Sequence, residues 1–145
     1  MRVEYGNGGK VHYTRDDFRR VTGIHYDDAT EPRFTYDYGA NGQAVYVKDA
    51  ELGRTVWTEY DTSERPISTH LMESVTSTST GTPKYTSTLG YDEFGNVASF
   101  KEKVNNSASY ETAYTYNIEN QPTQLRFGAD NRKLTYTYDP IGRLY

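Results

Sequence analysis

The stretch Tyr136-Thr-Tyr-Asp-Pro-Ile-Gly-Arg-Leu144 decides how the chain is read. Tyr136 and Tyr138 stand two residues apart, a spacing that puts both rings on one face of a β-strand. Asp139-Pro-Ile-Gly142 then has the residues a type I turn asks for, with Asp first, Pro second and Gly fourth. A left-handed glycine at the fourth place makes the bulged hairpin loop that lets two antiparallel strands keep their twist. Leu144 resumes the sheet.

Worn copies of this unit run back to the start of the chain, and a repeat outranks every other signal. Taking the second tyrosine as anchor, the matching positions are Tyr5, Arg15, Tyr26, Tyr38, Asp49, Tyr60, Tyr91, Tyr116 and Tyr138. The intervals are 10, 11, 12, 11, 11, 31, 25 and 22 residues, near multiples of eleven, the length of one strand plus one tight turn. After the anchor comes Asp16, Asp27, Asp61, Asp92, Asn117 or Asp139, short side chains that can bond the turn backbone. The glycine place holds Gly9, Gly42, Gly53, Gly95 and Gly142, with Asn120 as a substitute that tolerates positive φ. Arg19, Thr30 and Glu64 do not fit, so those three turns are expected to be of another type or to lack the bulge. A polar or basic residue follows, as at Lys10, Arg20, Arg54, Arg65 and Arg143.

The second half reads as a β-meander. Tyr91-Asp-Glu-Phe-Gly95 turns into the partly alternating run 96–104, Tyr114-Thr-Tyr116 returns, Asn117-Ile-Glu-Asn120 turns again, and Gly128-Ala-Asp-Asn131 makes the last reversal before the opening stretch. The Ser/Thr-rich segment 69–88 reads as two strands with a loop or weak linker at 76–86. Sustained helical periodicity is absent; Ala50-Glu-Leu52 offers one turn.

Composition agrees. The 145 residues suit a single domain, yet only 34% are apolar and the mean hydropathy is −0.89, a thin supply for a compact core. Fifteen tyrosines compensate, each burying a ring while keeping a hydroxyl for a partner. Stability is then distributed along the array, each unit resting on its neighbours.

Little chemistry is legible. The net charge of −4 comes from interspersed signs, with no basic stripe for nucleic acid. There is no cysteine, hence no disulfide, thiolate nucleophile or zinc–sulfur site. No run of 18 apolar residues marks a membrane helix, and the N-terminus lacks the apolar region of a signal peptide. His12, His25 and His70 lack metal-site spacing, the acid pairs Asp16-Asp17 and Asp27-Asp28 belong to turns, and no GxSxG elbow occurs. A metal at His25 and Asp27 is weighed and set aside in favour of an ordinary turn. No catalytic, metal or cofactor site is expected.

The full motif at 136–144, with Tyr91-Asp-Glu-Phe-Gly-Asn-Val97 and Tyr114-Thr-Tyr-Asn117, resembles the YD repeat of the Rhs family, which is similar to repeats of bacterial wall-associated proteins, toxin-complex C components and teneurins. The resemblance implies an all-β fold, an antiparallel hairpin ribbon that spirals into a shell around a toxic C-terminal domain, with about one strand per eleven residues. On that basis residues 1–145 form a single ribbon, a segment of a larger shell in a secreted or cell-surface bacterial parent. Its partners are other YD-repeat segments of the parent, the C-terminal toxin or effector domain, and further ribbon through its open ends or edges. The structural positions are Tyr36, Tyr38, Tyr60, Asp61, Tyr91, Asp92, Gly95, Tyr114, Tyr116, Asn117, Tyr136, Tyr138, Asp139, Gly142, Arg143 and Leu144. Family members close the shell with a self-cleaving region that begins Asp-Pro-x-Gly; Asp139-Pro-Ile-Gly142 matches only that opening and is read as an ordinary turn.

Two functions follow. The first is structural, a wall or ribbon that encloses or presents the C-terminal domain. The alternative is a carbohydrate- or cell-surface-binding module that uses tyrosine-lined faces. The two differ in whether Tyr36, Tyr114, Tyr116, Tyr136 and Tyr138 are packed or open.

Overall fold

Alternation and turn chemistry together demand strands joined by tight reversals, and that is the architecture of the computed structural model, which describes residues 2–4, 6, 8–73, 82–128 and 132–145. The protein is all-β, and every adjacent pair of strands is antiparallel within each of two compact units, Met1–Lys84 and Tyr85–Tyr145. The first holds β1 (Arg2–Glu4), β2 (Lys10–Arg15), β3 (Val21–Tyr26), β4 (Phe34–Tyr38), β5 (Ala44–Asp49), β6 (Arg54–Tyr60) and β7 (Pro66–Met72), paired in chain order. In the second, β8 (Tyr85–Tyr91), β9 (Val97–Val104), β10 (Tyr110–Tyr116), β11 (Pro122–Phe127) and β12 (Arg132–Thr135) are likewise paired in order, and a bridge between Tyr138 and Leu144 begins one more hairpin. Of the loop expected at 76–86, residues 76–81 lie outside the described residues, as does the anchor Tyr5; Tyr85 and Thr86 belong to β8.

Within each unit the described strands form one sheet layer, and burial is accordingly slight. Val11 and Met72 are the buried apolar side chains among the described residues, beside the polar His25, Thr55 and Ser68. Cross-strand contact takes the place of a core. His12 stacks on its β3 partner His25 at 4.3 Å, and Trp57 lies between Tyr46 at 6.2 Å and His70 at 4.7 Å across β5, β6 and β7. Aromatic pairs of this kind contribute about 0.2–1 kcal/mol each.

An antiparallel meander puts alternate turns on opposite edges, and within each unit the two edges differ. One class of turn joins β2 to β3, β4 to β5, β6 to β7, β8 to β9 and β10 to β11, and recurs at 139–143. In each, the fourth residue donates to the carbonyl of the first, and the first donates to the carbonyl of the fifth. Each of the five strand-to-strand examples is followed by a register shift that leaves one extra residue on the outgoing strand: Thr22, Val45, Ile67, Ala98 or Thr123. The turns on the other edge follow no common rule. Asp27 to Arg33 is a long connection, Ala50 to Gly53 closes without a bulge, and Asn105 takes positive φ after β9. The motif therefore repeats once per two strands, and Tyr26 and Asp49 head turns of the irregular kind.

Two expectations are corrected. Arg19 and Glu64 do not mark a different turn: they take φ of 65° and 62° and make the same bonds as Gly95 and Gly142. The reason is that residues one and five, Asp16 with Arg20 and Asp61 with Arg65, fix the loop strongly enough to hold a non-glycine residue in the left-handed region. In the first hairpin it is Gly8, not Gly9, that takes positive φ. Thr30 does lie in a connection of another type. Replacing Gly95 by Ala should cost about 1–2 kcal/mol, whereas Arg19→Gly should be neutral or stabilising by up to about 1 kcal/mol, both read from urea unfolding. An Arg19→Gly variant destabilised as much as Gly95→Ala would sink this account of the turn.

Candidate functional site

The recurring feature is a turn and a tyrosine, so the site is a pattern repeated along an edge. Asp16 heads the first example. Its Oδ1 accepts from the N–H of Phe18 (3.0 Å) and of Arg20 (2.9 Å), and its Oδ2 accepts from Arg20 Nε at 2.7 Å. Asp61 repeats this with Ser63, Arg65 and Arg65 Nε, and Asp139 with Ile141, Arg143 and Arg143 Nε. At Asp92 the fifth residue is Asn96, whose Nδ2 replaces the guanidinium at 3.1 Å. In the Asn117 turn the amide pair is reversed in role, Asn117 Nδ2 donating to Gln121 Oε1 at 2.9 Å.

These bonds set the protonation of the carboxylates. The Arg65 N–H, the Arg65 guanidinium and the Ser63 N–H hold Asp61 below the usual carboxylate range against some burial, and Arg143 and Ile141 do the same for Asp139. At Asp16 and Asp92 burial pushes upward most strongly of any single cause, but the bonds from Arg20 and Phe18, and from Asn96, Phe94 and Gly95, together outweigh it. A carboxyl whose folded value is depressed stabilises the fold above its unfolded value and loses that contribution as pH falls through the folded one. The melting temperature should therefore hold between neutrality and about pH 5 and fall below about pH 4. An acid-insensitive melt across that window would show that the aspartates do not stabilise the turns.

The anchor tyrosines reach sideways. Tyr38 donates its hydroxyl to the Val21 carbonyl at 2.6 Å, Tyr60 to Ala44 at 2.9 Å, Tyr116 to Val97 at 2.9 Å and Tyr138 to Pro122 at 2.8 Å. Each acceptor is the residue just after the preceding turn, at the bulge. In each case the ladder between the strands stops two residues short of that carbonyl, at Gly23 with Thr35, Tyr46 with Trp57, Ser99 with Ala113 and Gln124 with Thr135. The strands splay there, and a tyrosine spans the gap. Fifth residues link adjacent turns as well: Asn96 Nδ2 donates to Asn120 Oδ1 at 2.9 Å, and Gln121 Nε2 to the Gly142 carbonyl at 3.1 Å.

Tyr36 and Tyr38 lie in β4, Tyr60 and Tyr91 end β6 and β8, and Tyr114 and Tyr116 lie in β10. Asp61, Asp92, Gly95, Asn117, Asp139, Gly142 and Arg143 are in turns, with Tyr136 ahead of the terminal bridge that pairs Tyr138 and Leu144. Tyr36, Tyr114, Tyr116, Tyr136 and Tyr138 are all half-buried, between the packed and open extremes that separate the two functional readings. Burial, with Tyr38, Tyr26 and Tyr13 nearby, raises the Tyr36 phenol; burial, with Tyr114 and Asp92, raises Tyr116. Sequence reasoning missed the sideways bond and the role of the fifth residue. The signal for the second was present, since Asp16 and Arg20, Asp61 and Arg65, and Asp139 and Arg143 share one spacing. Among the described residues no group of three or more His, Asp or Glu side chains is placed to hold a metal.

Tyr116→Phe removes the donor that satisfies the Val97 carbonyl and should cost about 1–2 kcal/mol, while Tyr114→Phe should cost less than half of that in the same urea titration. Equal losses would mean that the hydroxyl bond is incidental.

No protein-family model and no curated protein matches the sequence. Solved structures do match in fold. The crystal structure of TcdB2-TccC3-TEV aligns over 94% of this chain with a TM-score of 0.57 and 13% identity, and that of TcdB2-TccC3-Cdc42 over 92% with 0.55 and 13%. The crystal structure of TcdB2-TccC3 aligns over 91%, again at 0.55 and 13%. In each case the chain spans 9% of the length of the chain it matches.

Proposed function

We propose that this chain is a non-catalytic structural repeat segment of an Rhs/YD-repeat protein, part of the wall of a β-sheet shell or surface ribbon that encloses or presents a C-terminal toxin or effector domain. The observation that carries the reading is the commitment of the motif's own polar groups. Each head residue Asp16, Asp61, Asp92, Asn117 and Asp139 is spent on its own turn, and the hydroxyls of Tyr38, Tyr60, Tyr116 and Tyr138 on a neighbouring strand. Groups used in this way hold shape. The fold shared with chains of the TcdB2-TccC3 structures supports the resemblance at the level of fold.

On this reading the partners are further YD-repeat segments and the enclosed domain, and the parent acts outside the cell or at its surface. Open sheet edges would be covered by more ribbon, since an unpaired edge invites association. The carbohydrate alternative has weaker support. Tyr116 and Tyr138 already spend their hydroxyls on Val97 and Pro122, and sugar-stacking platforms need rings that are open to solvent.

The test uses the parent protein containing this segment, treated with a non-specific protease while the C-terminal domain is followed by immunoblot. That domain should resist digestion in the native protein and become cleavable when Tyr60 and Tyr116 are both changed to Ala. A C-terminal domain cut equally fast in both proteins would rule out enclosure by this wall.

A further inference from the structure

Of the six motif turns, five carry Asp or Asn at the first place and one carries Gly39. Its backbone is that of the others: Gly42 donates to the Gly39 carbonyl at 3.0 Å, Gly39 donates to the Gln43 carbonyl at 2.9 Å, and Gly42 has φ of 88°. Its restraints are fewer. Elsewhere a head side chain accepts from the third and fifth N–H groups, as Asn117 Oδ1 does from Glu119 and Gln121; no described residue accepts from the N–H of Asn41 or Gln43. The Gln43 amide lies over Gly39 instead, 3.2 Å from the place of a Cβ, and its Oε1 is buried without a partner.

Among the six, this turn is also the one that places asparagine before glycine. The third places of the others hold Phe18, Ser63, Phe94, Glu119 and Ile141, whereas here Asn41 precedes Gly42 and both are exposed. A backbone nitrogen can attack the side-chain carbonyl of the asparagine before it, closing a five-membered ring, and glycine obstructs that approach least because it has no Cβ. Within the folded turn the Gly42 N–H is engaged by the Gly39 carbonyl, so the reaction waits on opening of the loop. Bonds to a head side chain oppose that opening in the other turns, and here they are absent.

The neighbouring turn holds a group suited to the product. In the second unit the fifth residue of one motif turn reaches the fourth place of the next: Asn96 bonds Asn120, and Gln121 bonds Gly142. Arg20 stands in the same relation to Gly42, its Nη1 3.7 Å from the place of a Cβ there. Its Nε is spent on Asp16 and its guanidinium lies 4.5 Å from the Tyr38 ring centroid, but among the described residues its terminal nitrogens make no hydrogen bond. Asn41 lines the same pocket of about 510 Å³ as Arg20. A carboxylate at that position bonds a guanidinium more strongly than an amide does.

We propose that Asn41 is a site of spontaneous deamidation, and that the aspartate so formed pairs with Arg20 and ties the Gly39 turn to the Asp16 turn. The Gly42 nitrogen gives up its proton and bonds to Asn41 Cγ; the Cγ–Nδ2 bond breaks, and ammonia leaves with that proton from what is now a succinimide. Water then opens the ring at either carbonyl. Opening at the main-chain carbonyl gives isoaspartate, and opening at the side-chain carbonyl gives aspartate, which keeps the backbone of the turn. The net change is amide and water to carboxylic acid and ammonia. With age this edge gains a link of the kind that the second unit makes with amides.

In the experiment the intact chain is aged in mildly alkaline buffer and each asparagine is followed by peptide mapping with mass spectrometry; Asn7-Gly8, the other Asn-Gly pair, is read in its own peptide. Asn41 should convert faster than Asn96, Asn105, Asn106, Asn117 and Asn120, with isoaspartate and aspartate both present, the mark of a ring intermediate. Gly39→Asp restores the head carboxylate and should slow conversion several-fold; Gly39→Ser, with a smaller acceptor, stands in should that variant fold poorly. Asn41→Asp should raise the melting temperature by about 1–3 °C, a gain that should vanish in an Arg20→Gln background. No conversion at Asn41 ahead of the other five, or equal rates with and without the head side chain, would overturn the deamidation site. An Asn41→Asp variant no more stable than the parent, or equally stabilised without Arg20, would overturn the ion pair.

Discussion

A carbonyl oxygen that loses its ladder partner has to find another donor, and the structure is arranged around that requirement. Each bulge after a motif turn breaks the register of the outgoing strand, and the next ladder stops two residues short of the carbonyls of Val21, Ala44, Val97 and Pro122. A buried or half-buried carbonyl left unpaired there would cost about 1–3 kcal/mol. Tyrosine is the side chain suited to repair it, because it is long enough for its hydroxyl to reach the oxygen on the neighbouring strand. The bulge and the tyrosine thus depend on each other.

The turns obey a parallel logic. A left-handed residue at the fourth place is usually supplied by glycine because other residues pay for a crowded Cβ. In the turns headed by Asp16 and Asp61 that cost is met by three bonds to one carboxylate and by the arginine at the fifth place. The Gly39 turn shows the opposite solution, with two glycines and no carboxylate. The same backbone can therefore be held by side-chain bonding or by glycine, and the chain uses both.

The part of this that was legible in the sequence is the part that depends on local chemistry. Asp139, Pro140 and Gly142 announce their turn without help, and the paired tyrosines mark a strand. The turns at Arg19 and Glu64 are not legible from the glycine place alone, because the first and fifth places hold the loop; the Asp–Arg spacing is what marks them. The two-strand period was hidden by Tyr26 and Asp49, which copy the anchor position but head irregular turns on the opposite edge. The bonds from Tyr38, Tyr60, Tyr116 and Tyr138 join residues 16 to 19 apart across a splay that no local pattern encodes. Only pairing registers reveal it.

The scarcity of buried apolar residues then becomes intelligible. With Val11 and Met72 as its buried apolar side chains among the described residues, this sheet cannot rely on a dry interior for order. Its specificity resides at the motif edge, where each turn is tied to its own carboxylate or amide and the splayed strands are closed by tyrosine. Links such as Asn96 to Asn120 and Gln121 to Gly142 extend that order from one turn to the next. Nearest-neighbour bonding of this kind favours growth by repetition, since each added pair of strands brings its own turn, its own bulge and the tyrosine that repairs the bulge before it. A wall can be lengthened under such a rule without enlarging a core.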